Sequence, residues 1–289
     1  MKIICLVENT SENPAFQCAH GLSLYIETKN HKILFDVGPN ELFAENAKSL
    51  NVNISEIDTV IISHGHYDHG GGLKTFFELN DKANVYVHEG FFEAHFSISR
   101  GPEPRFIGID PSLKCNGRFI FVGDNYRIDD ELYLFANPPN NEFISLSNRS
   151  LLIQQNEKYI PDPFNHEQSL IITQNSNDLK IDEKDDFIKN NNVLFCGCSH
   201  RGIANILTHA ETIIQSEFDF VIGGFHLMNP SKKTVESFEL LENIANELQK
   251  RKKTKFYTCH CTGLDAYKHL HDKMKANIDY LSTSKMIYA

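Results

Sequence analysis

Short apolar runs cut by polar turns open the chain. Lys2–Val7, Leu22–Glu27 and Lys32–Asp36 read as strands, and the turn at Asn30-His31 makes the last two a hairpin. Val37-Gly38-Pro39-Asn40 breaks the pattern, after which Glu41–Leu50 places Leu42, Phe43, Ala47 and Leu50 at helical spacing. Asp58–Ser63 is a continuous β-branched run, as in a strand buried on both faces. Leu73–Leu79 reads as a helix and Ala83–His88 as another buried strand. From about Phe91 to Pro163 the periodicity fails: Pro, Gly and Asn are frequent, and only short strands such as Phe119–Val122 and Leu132–Phe135 stand out. This segment is expected to be an insertion, a lid over one end of the fold. Strands resume at Ser169–Thr173, Val193–Cys198, Phe218–Gly223 and Lys255–Cys259. Gly202–Ser216, Ser231–Lys252 and Leu264–Lys275 read as helices, the second with Val235, Phe238, Leu241, Ile244 and Leu248 on one face. Asn175–Asn192 is polar and reads as a hairpin or surface loop. Strands alternating with helices predict an α/β fold, expected as one domain over residues 1–289.

The strands share a habit. One after another they end in an acid or a histidine: Asp36, His64, His88, His200, His226 and His260. In layered α/β architectures function gathers where strands end and loops begin. The densest of these ends is Ser63-His64-Gly65-His66-Tyr67-Asp68-His69-Gly70-Gly71-Gly72, with three His and one Asp inside six residues. Neutral imidazole and carboxylate are the usual ligands of zinc and related divalent ions. In an extended stretch His64 and His66 point to the same side and can grip one ion. Asp68 and His69 follow as the chain turns and can face a second.

Composition narrows the options. A formal net charge of −10 argues against nucleic acid as the partner, because phosphate binding needs a basic surface. Hydrophobic residues at 41 % and charged residues at 23 % are a globular balance, not a disordered one. No apolar run approaches the about 20 residues of a membrane span, and the early run Ile3–Val7 is too short for a secretory signal. A cytoplasmic protein is therefore expected, acting on a small molecule without membrane or nucleic acid. Seven thinly spread cysteines do not make a disulfide scaffold. Cys196-x-Cys198 and Cys259-x-Cys261 are spaced too tightly for a usual four-thiolate zinc site and read more simply as buried core residues. No Gly-x-Ser-x-Gly elbow and no phosphate-cradling Gly-x-x-x-x-Gly-Lys-Ser/Thr loop is present.

The His-x-His-x-Asp-His run resembles the signature of the metallo-β-lactamase superfamily. Glu8-Asn9-Thr10, His20-Gly21-Leu22-Ser23, Leu34-Phe35-Asp36-Val37-Gly38, Cys196-Gly197-Cys198-Ser199-His200-Arg201-Gly202-Ile203, Gly223-Gly224-Phe225-His226-Leu227 and His260-Cys261-Thr262-Gly263 look like one branch of it. That branch holds metal-dependent hydrolases and the archaeal enzyme that joins a dihydropterin to a ribofuranosyl-aminobenzene phosphate. The resemblance implies a four-layer αββα sandwich with one or two divalent ions at the sheet edge. One ion would take His64, His66 and a third histidine. The other would take Asp68, His69 and a late histidine, matched best by His260. For the third histidine, His166 fits the family's His-x-x-Ser step with Glu167 beside it. His200 leaves a buried strand just before a helix start, a rigid platform, and is favoured on that ground.

Two departures from the pattern matter. The superfamily's bridging Asp is replaced by Cys198, which is either a sulfur ligand or a buried inert thiol. Ala19 stands where the branch more often has Glu. The second signature histidine, His66, is commonly Glu in the superfamily's redox di-iron branch, so zinc is favoured, with iron or manganese as alternatives. The implied activity is hydrolysis of a small, phosphorylated molecule by metal-activated water, with Asp68 orienting the nucleophile or carrying a proton and His226 facing the substrate. His20 and Arg201 are expected to line the pocket, Arg201 as an anion holder at a helix start. The alternatives are a transferase coupling a pterin-like methyl diphosphate to an arylamine phosphate, and a non-catalytic effector that keeps the metal.

Overall fold

Apolar runs with no polar face must be covered on both sides, and two stacked sheets with helices outside accomplish this. The computed structural model describes residues 1–174, 191–229, 231–232 and 234–289. Its first sheet has the strand order Met286–Tyr288, Lys2–Val7, Ser23–Glu27, Lys32–Phe35, Thr59–Ile61, Asn84–His88, Phe119–Val122. The second has the order Ile278–Tyr280, Lys255–Thr258, Phe220–Gly223, Asn191–Cys196, Gln168–Gln174, Leu132–Ala136, Asn125–Arg127. Alternation along one strand sorts its side chains into two layers. Ile3 and Cys5 join Leu24, Phe35, Leu170 and Phe195 between the sheets, where the Phe35 and Phe195 rings lie 6.0 Å apart. Ile4 and Leu6 instead meet Phe43 and Phe76 from the helices Leu42–Ser49 and Leu73–Leu79. On the far side, Leu194, Val221 and Phe256 lie under helices Ile203–Ile214, Phe238–Leu248 and Leu264–Met274. Each fully buried Phe or Ile here stabilises the fold by about 1.5–3 kcal/mol relative to exposure. The result is the expected αββα sandwich.

Parallel pairing is what places the site. Lys32–Phe35, Thr59–Ile61 and Asn84–His88 run parallel in register, as do Asn191–Cys196, Phe220–Gly223 and Lys255–Thr258. Strands that share a direction release their following residues at one edge. Asp36, His64, His200, His226 and His260 therefore emerge together.

The structure divides the Phe91–Pro163 segment. Phe119–Val122 and Leu132–Ala136 are strands of the two main sheets, because Val122, Leu132 and Leu134 are needed in the layer between them. Only His95–Ser97, Arg105–Phe106, Leu151–Gln155 and Lys158–Pro161 form a separate four-stranded sheet, which stands beside the site. The helix expected over Ser231–Lys252 is shorter. It spans Phe238–Leu248, begins where the Ser237 hydroxyl accepts from Leu240 N at 3.2 Å, and is preceded by a small hairpin of Met228–Asn229 and Thr234–Val235. Val235 is thus exposed on a strand, not packed on a helix face. The hairpin or loop expected at Asn175–Asn192 falls, up to residue 190, outside the described residues. Among the described residues no helix is long and apolar enough to cross a membrane.

Candidate metal centre

Three imidazoles converge from two strand ends. His64, His66 and His200 are buried, and their ring centroids lie 4.5, 5.0 and 5.1 Å apart pairwise. The Nε2 atoms of all three are buried with no hydrogen-bond partner, a costly state for polar atoms unless something else binds them. Burial and the neighbouring imidazoles hold all three well below the usual histidine range, so they are neutral, the form that ligates metal.

The tautomers of two of them follow from their partners. The Ser63 hydroxyl donates to Asp36 Oδ2 at 2.8 Å, so its lone pair is free to accept from His64 Nδ1 at 2.9 Å. His200 Nδ1 lies 3.0 Å from Asn148 Oδ1, an acceptor. Each ring therefore carries its proton on Nδ1 and turns a bare Nε2 toward the others.

A second donor group adjoins the first. His69 Nδ1 donates to Asp36 Oδ2 at 2.6 Å, and His260 Nδ1 donates to Asn9 Oδ1 at 2.8 Å. Their Nε2 atoms then face each other at 3.2 Å, with Asp68 Oδ2 at 3.8 and 3.4 Å from them. Cys198 Sγ is 3.2 Å from His69 Nε2. So many electron-rich atoms at such distances repel unless a positive charge lies among them. Burial opposes protonation of His69, yet Asp36 and Asp68 outweigh it and raise its pKa to about 9. The group thus draws a cation even when only a proton is on offer. Cys198 lies within 4.8 Å of the donor atoms of both His64 with His200 and His69 with His260, so it sits between the two groups. Backbone strain marks the same place: Asp36, Ser199, His226 and His260 hold φ of 59°, 59°, 50° and 51°. Such conformations cost on the order of 1–3 kcal/mol each and cluster at functional sites.

The other named residues divide by role. His166 accepts from Gly65 N at 3.0 Å through Nδ1 and lies 3.2 Å from Asp162 Oδ2 through Nε2. Both nitrogens are therefore occupied, one by the signature loop and one by Asp162, whereas the Nε2 of His200 has no partner. Glu167 is buried and accepts from the backbone N of His200 at 2.7 Å and of Arg201 at 2.8 Å. Burial outweighs those bonds and pushes it up to about 7. It fixes the His200 turn and is not aimed at the donors. Arg201 is not brought to the cavity: its guanidinium donates to Pro163 O and Pro138 O at 3.0 and 3.2 Å. His88 pairs with Asp124 at 3.3 Å and also stays away. His20 does line the cavity, 3.3 Å from Asp68 Oδ2, with burial holding it down to about 4 against the pull of that carboxylate. His226 lines it too, its ring 4.2 Å from that of His200 and both of its nitrogens unpartnered.

The cysteine pairs split, so the simple reading of both as core residues holds for only one member of each. Cys196 and Cys259 are in the core layers, while Cys198 and Cys261 line the cavity, because the strands end between them. Sequence reading did not assign Asn9, Asn148 or Asp162, whose oxygens orient imidazoles, nor His95, which is buried beside His66 and His166 with its Nε2 unpartnered. Only the Glu8-Asn9-Thr10 motif pointed toward one of them. A larger hollow of about 920 Å³, bordered by Arg127, Asp129 and Lys253, contains no histidine and lies apart from these donors.

Gly197 shows how tight the arrangement is. A Cβ there would lie 2.0 Å from Ser63 Oγ and 3.3 Å from His64 Nδ1. Gly197→Ala is expected to displace Ser63, destabilise the fold by about 1–3 kcal/mol and weaken metal affinity ~10-fold or more. Thermal melting and metal titration of the purified variant check this, and unchanged affinity would mean that Ser63 does not orient His64.

Residues 18–149 match the family model of the metallo-β-lactamase superfamily. That match, the αββα sandwich and the clustered imidazoles make the chain similar to metallo-β-lactamase superfamily proteins. It is 28 % identical to the 7,8-dihydropterin-6-methyl-4-(β-D-ribofuranosyl)-aminobenzene-5′-phosphate synthase of Methanocaldococcus jannaschii, over 99 % of this chain and 96 % of that one. An uncharacterised protein of the same organism is 29 % identical over 90 % of each chain. A crystal structure named as a metal-dependent hydrolase of the β-lactamase superfamily superposes with a TM-score of 0.79 at 27 % identity, covering 100 % of this chain and 99 % of that one.

Proposed function

We propose that the chain is a metal-dependent hydrolase of a small phosphorylated molecule. The observation that carries this reading is the convergence of three buried, neutral, unpartnered imidazole nitrogens beside the Asp68, His69 and His260 group. His64, His66 and His200 would hold one ion and Asp68, His69 and His260 a second, with Cys198 between them. Imidazole and sulfur donors suit zinc best. A divalent ion, when bound, polarises a phosphoryl or carbonyl oxygen and lowers the pKa of water to ~7. Asp68, whose Oδ2 lies 3.3 Å from His20 Nε2 and 3.4 Å from His260 Nε2, is placed to orient the attacking water, with His20 beside it at the cavity rim. His226, with both nitrogens free, is placed to donate to the oxygen of the leaving group.

Metal analysis after reloading, with turnover of a panel of phosphodiesters, lactones and thioesters, tests the reading. Fewer than ~0.2 equivalents of any transition metal would sink it, because buried imidazoles of this kind bind tightly when neutral. A second reading is supported by the end-to-end likeness to the archaeal synthase. In it the same site couples a dihydropterin methyl diphosphate to an arylamine phosphate, forming a C–N bond and releasing diphosphate. Incubating the two substrates and finding no coupled product counts against it. His66→Ala separates both from a metal-holding effector: an enzyme loses turnover, whereas an effector retains its partner.

A further inference from the structure

The cavity in front of the imidazoles has a volume of about 100 Å³. Its lining runs outward from Asp68, His200 and His226 to Arg100, Arg105 and Ser231, and those outer residues form its mouth. That mouth is cationic, in a chain whose net charge is −10. Arg100 follows the strand His95–Ser97 and Arg105 opens the strand Arg105–Phe106; both line the opening. Tyr67, beside Asp68, lines the same opening.

Both arginines are exposed, and among the described residues neither pairs with a carboxylate. Three other arginines of the chain are committed. Arg251 pairs with Glu211 and Glu247, Arg118 donates to Ala83 O, and Arg201 donates to two carbonyls. Arg100 Nε reaches only the Ser231 hydroxyl, at 3.4 Å. Ser231 is 3.0 Å from Ser99 Oγ, which in turn accepts from Ser97 Oγ at 2.9 Å. The hydroxyls thus form a chain along the rim that ends at Arg100.

We infer that Arg100 and Arg105, with the hydroxyls of Ser99 and Ser231, form an oxyanion subsite at the cavity mouth for a phosphate-type group of the substrate outboard of the reacting bond. A guanidinium fork matches the oxygens of carboxylate and phosphate alike. Two forks and two hydroxyls present more donors than one planar carboxylate can accept, and a tetrahedral phosphate with three terminal oxygens uses them better. The inference deepens the hydrolase reading and rests on it for the place of the reacting bond, but not for the binding of the anion.

Calorimetric titration of the zinc-loaded chain with phenylphosphonate, which cannot be hydrolysed, and with benzoate tests it. Phenylphosphonate is expected to bind more tightly than benzoate. R100A/R105A is expected to weaken it ~10-fold or more, the loss of one or more charge-assisted contacts, with zinc content unchanged. R100K/R105K should recover only part of the loss, because a lysine cannot form the fork. Equal affinity in wild type and R100A/R105A overturns the subsite, and benzoate binding as tightly as phenylphosphonate overturns its assignment to phosphate. Arginine-dependent phosphonate binding in a chain that turns over no phosphoester would sink the hydrolase reading and leave the subsite standing.

Discussion

His64→Ala is expected to purify folded with less than about a tenth of the wild-type transition metal and to lose at least ~10²-fold of any turnover. The floor comes from outer residues that merely orient a ligand, whose loss already costs about 10–100-fold in affinity or activity. His64 is fully buried, and its Nε2 has no other partner, so nothing else can occupy its place. Chelation gives the complementary measurement. A ligand present at 1,000 times its dissociation constant stabilises a folded chain by about 4 kcal/mol. Stripping metal from wild type should therefore lower its melting temperature by several degrees, while His64→Ala should respond far less. A variant that kept full metal content and the full chelator response would show that the imidazoles do not grip an ion.

Asp36→Asn is expected to act nearly as strongly from one step further out. The Asp36 carboxylate accepts from Ser63 N at 2.7 Å, Ser63 Oγ at 2.8 Å and His69 Nδ1 at 2.6 Å, all fully buried. It therefore orients His69 directly and His64 through Ser63, one member of each donor group. An amide in its place presents an NH₂ where an acceptor is needed. Either Ser63 or His69 loses its partner, and His69 loses the charge that holds its proton on Nδ1. Breaking such a buried charged contact costs about 3–5 kcal/mol. Metal affinity should fall about 10–100-fold. Denaturant unfolding with and without chelator, alongside metal titration, separates the two effects. Asp36→Asn with wild-type affinity would reduce Asp36 to a packing role.

Some of this is written in local pattern. The run Asp58–Ser63 read as a covered strand, and the His-x-His-x-Asp-His after it gathered ligand-type side chains in one turn. The Ser231–Lys252 reading failed because apolar residues at helical spacing do not reveal where a helix starts. Val235 fitted the periodicity, but the Ser237 cap sets the start after it. Phe119–Val122, at the edge of one sheet, and Leu132–Ala136, next to the edge of the other, looked like part of an insertion because a short strand carries no mark of which sheet it will join. Arg201 beside His200 was placed at the cavity by adjacency alone. A turn at Gly202, with φ of 82°, sends its side chain to the carbonyls of Pro163 and Pro138 instead.

The chain by itself determined that apolar strands would be covered on both faces and would end in imidazoles and carboxylates, because periodicity and residue chemistry are local properties. Only the tertiary structure decided which nitrogens are left bare. His166 and His200 are alike as residues, but a backbone N–H and Asp162 occupy one of them, while Asn148 leaves the other with its Nε2 open. Two of those contacts, Gly65 with His166 and Asn148 with His200, join residues far apart in the chain, and the energy of a buried polar atom depends on what touches it.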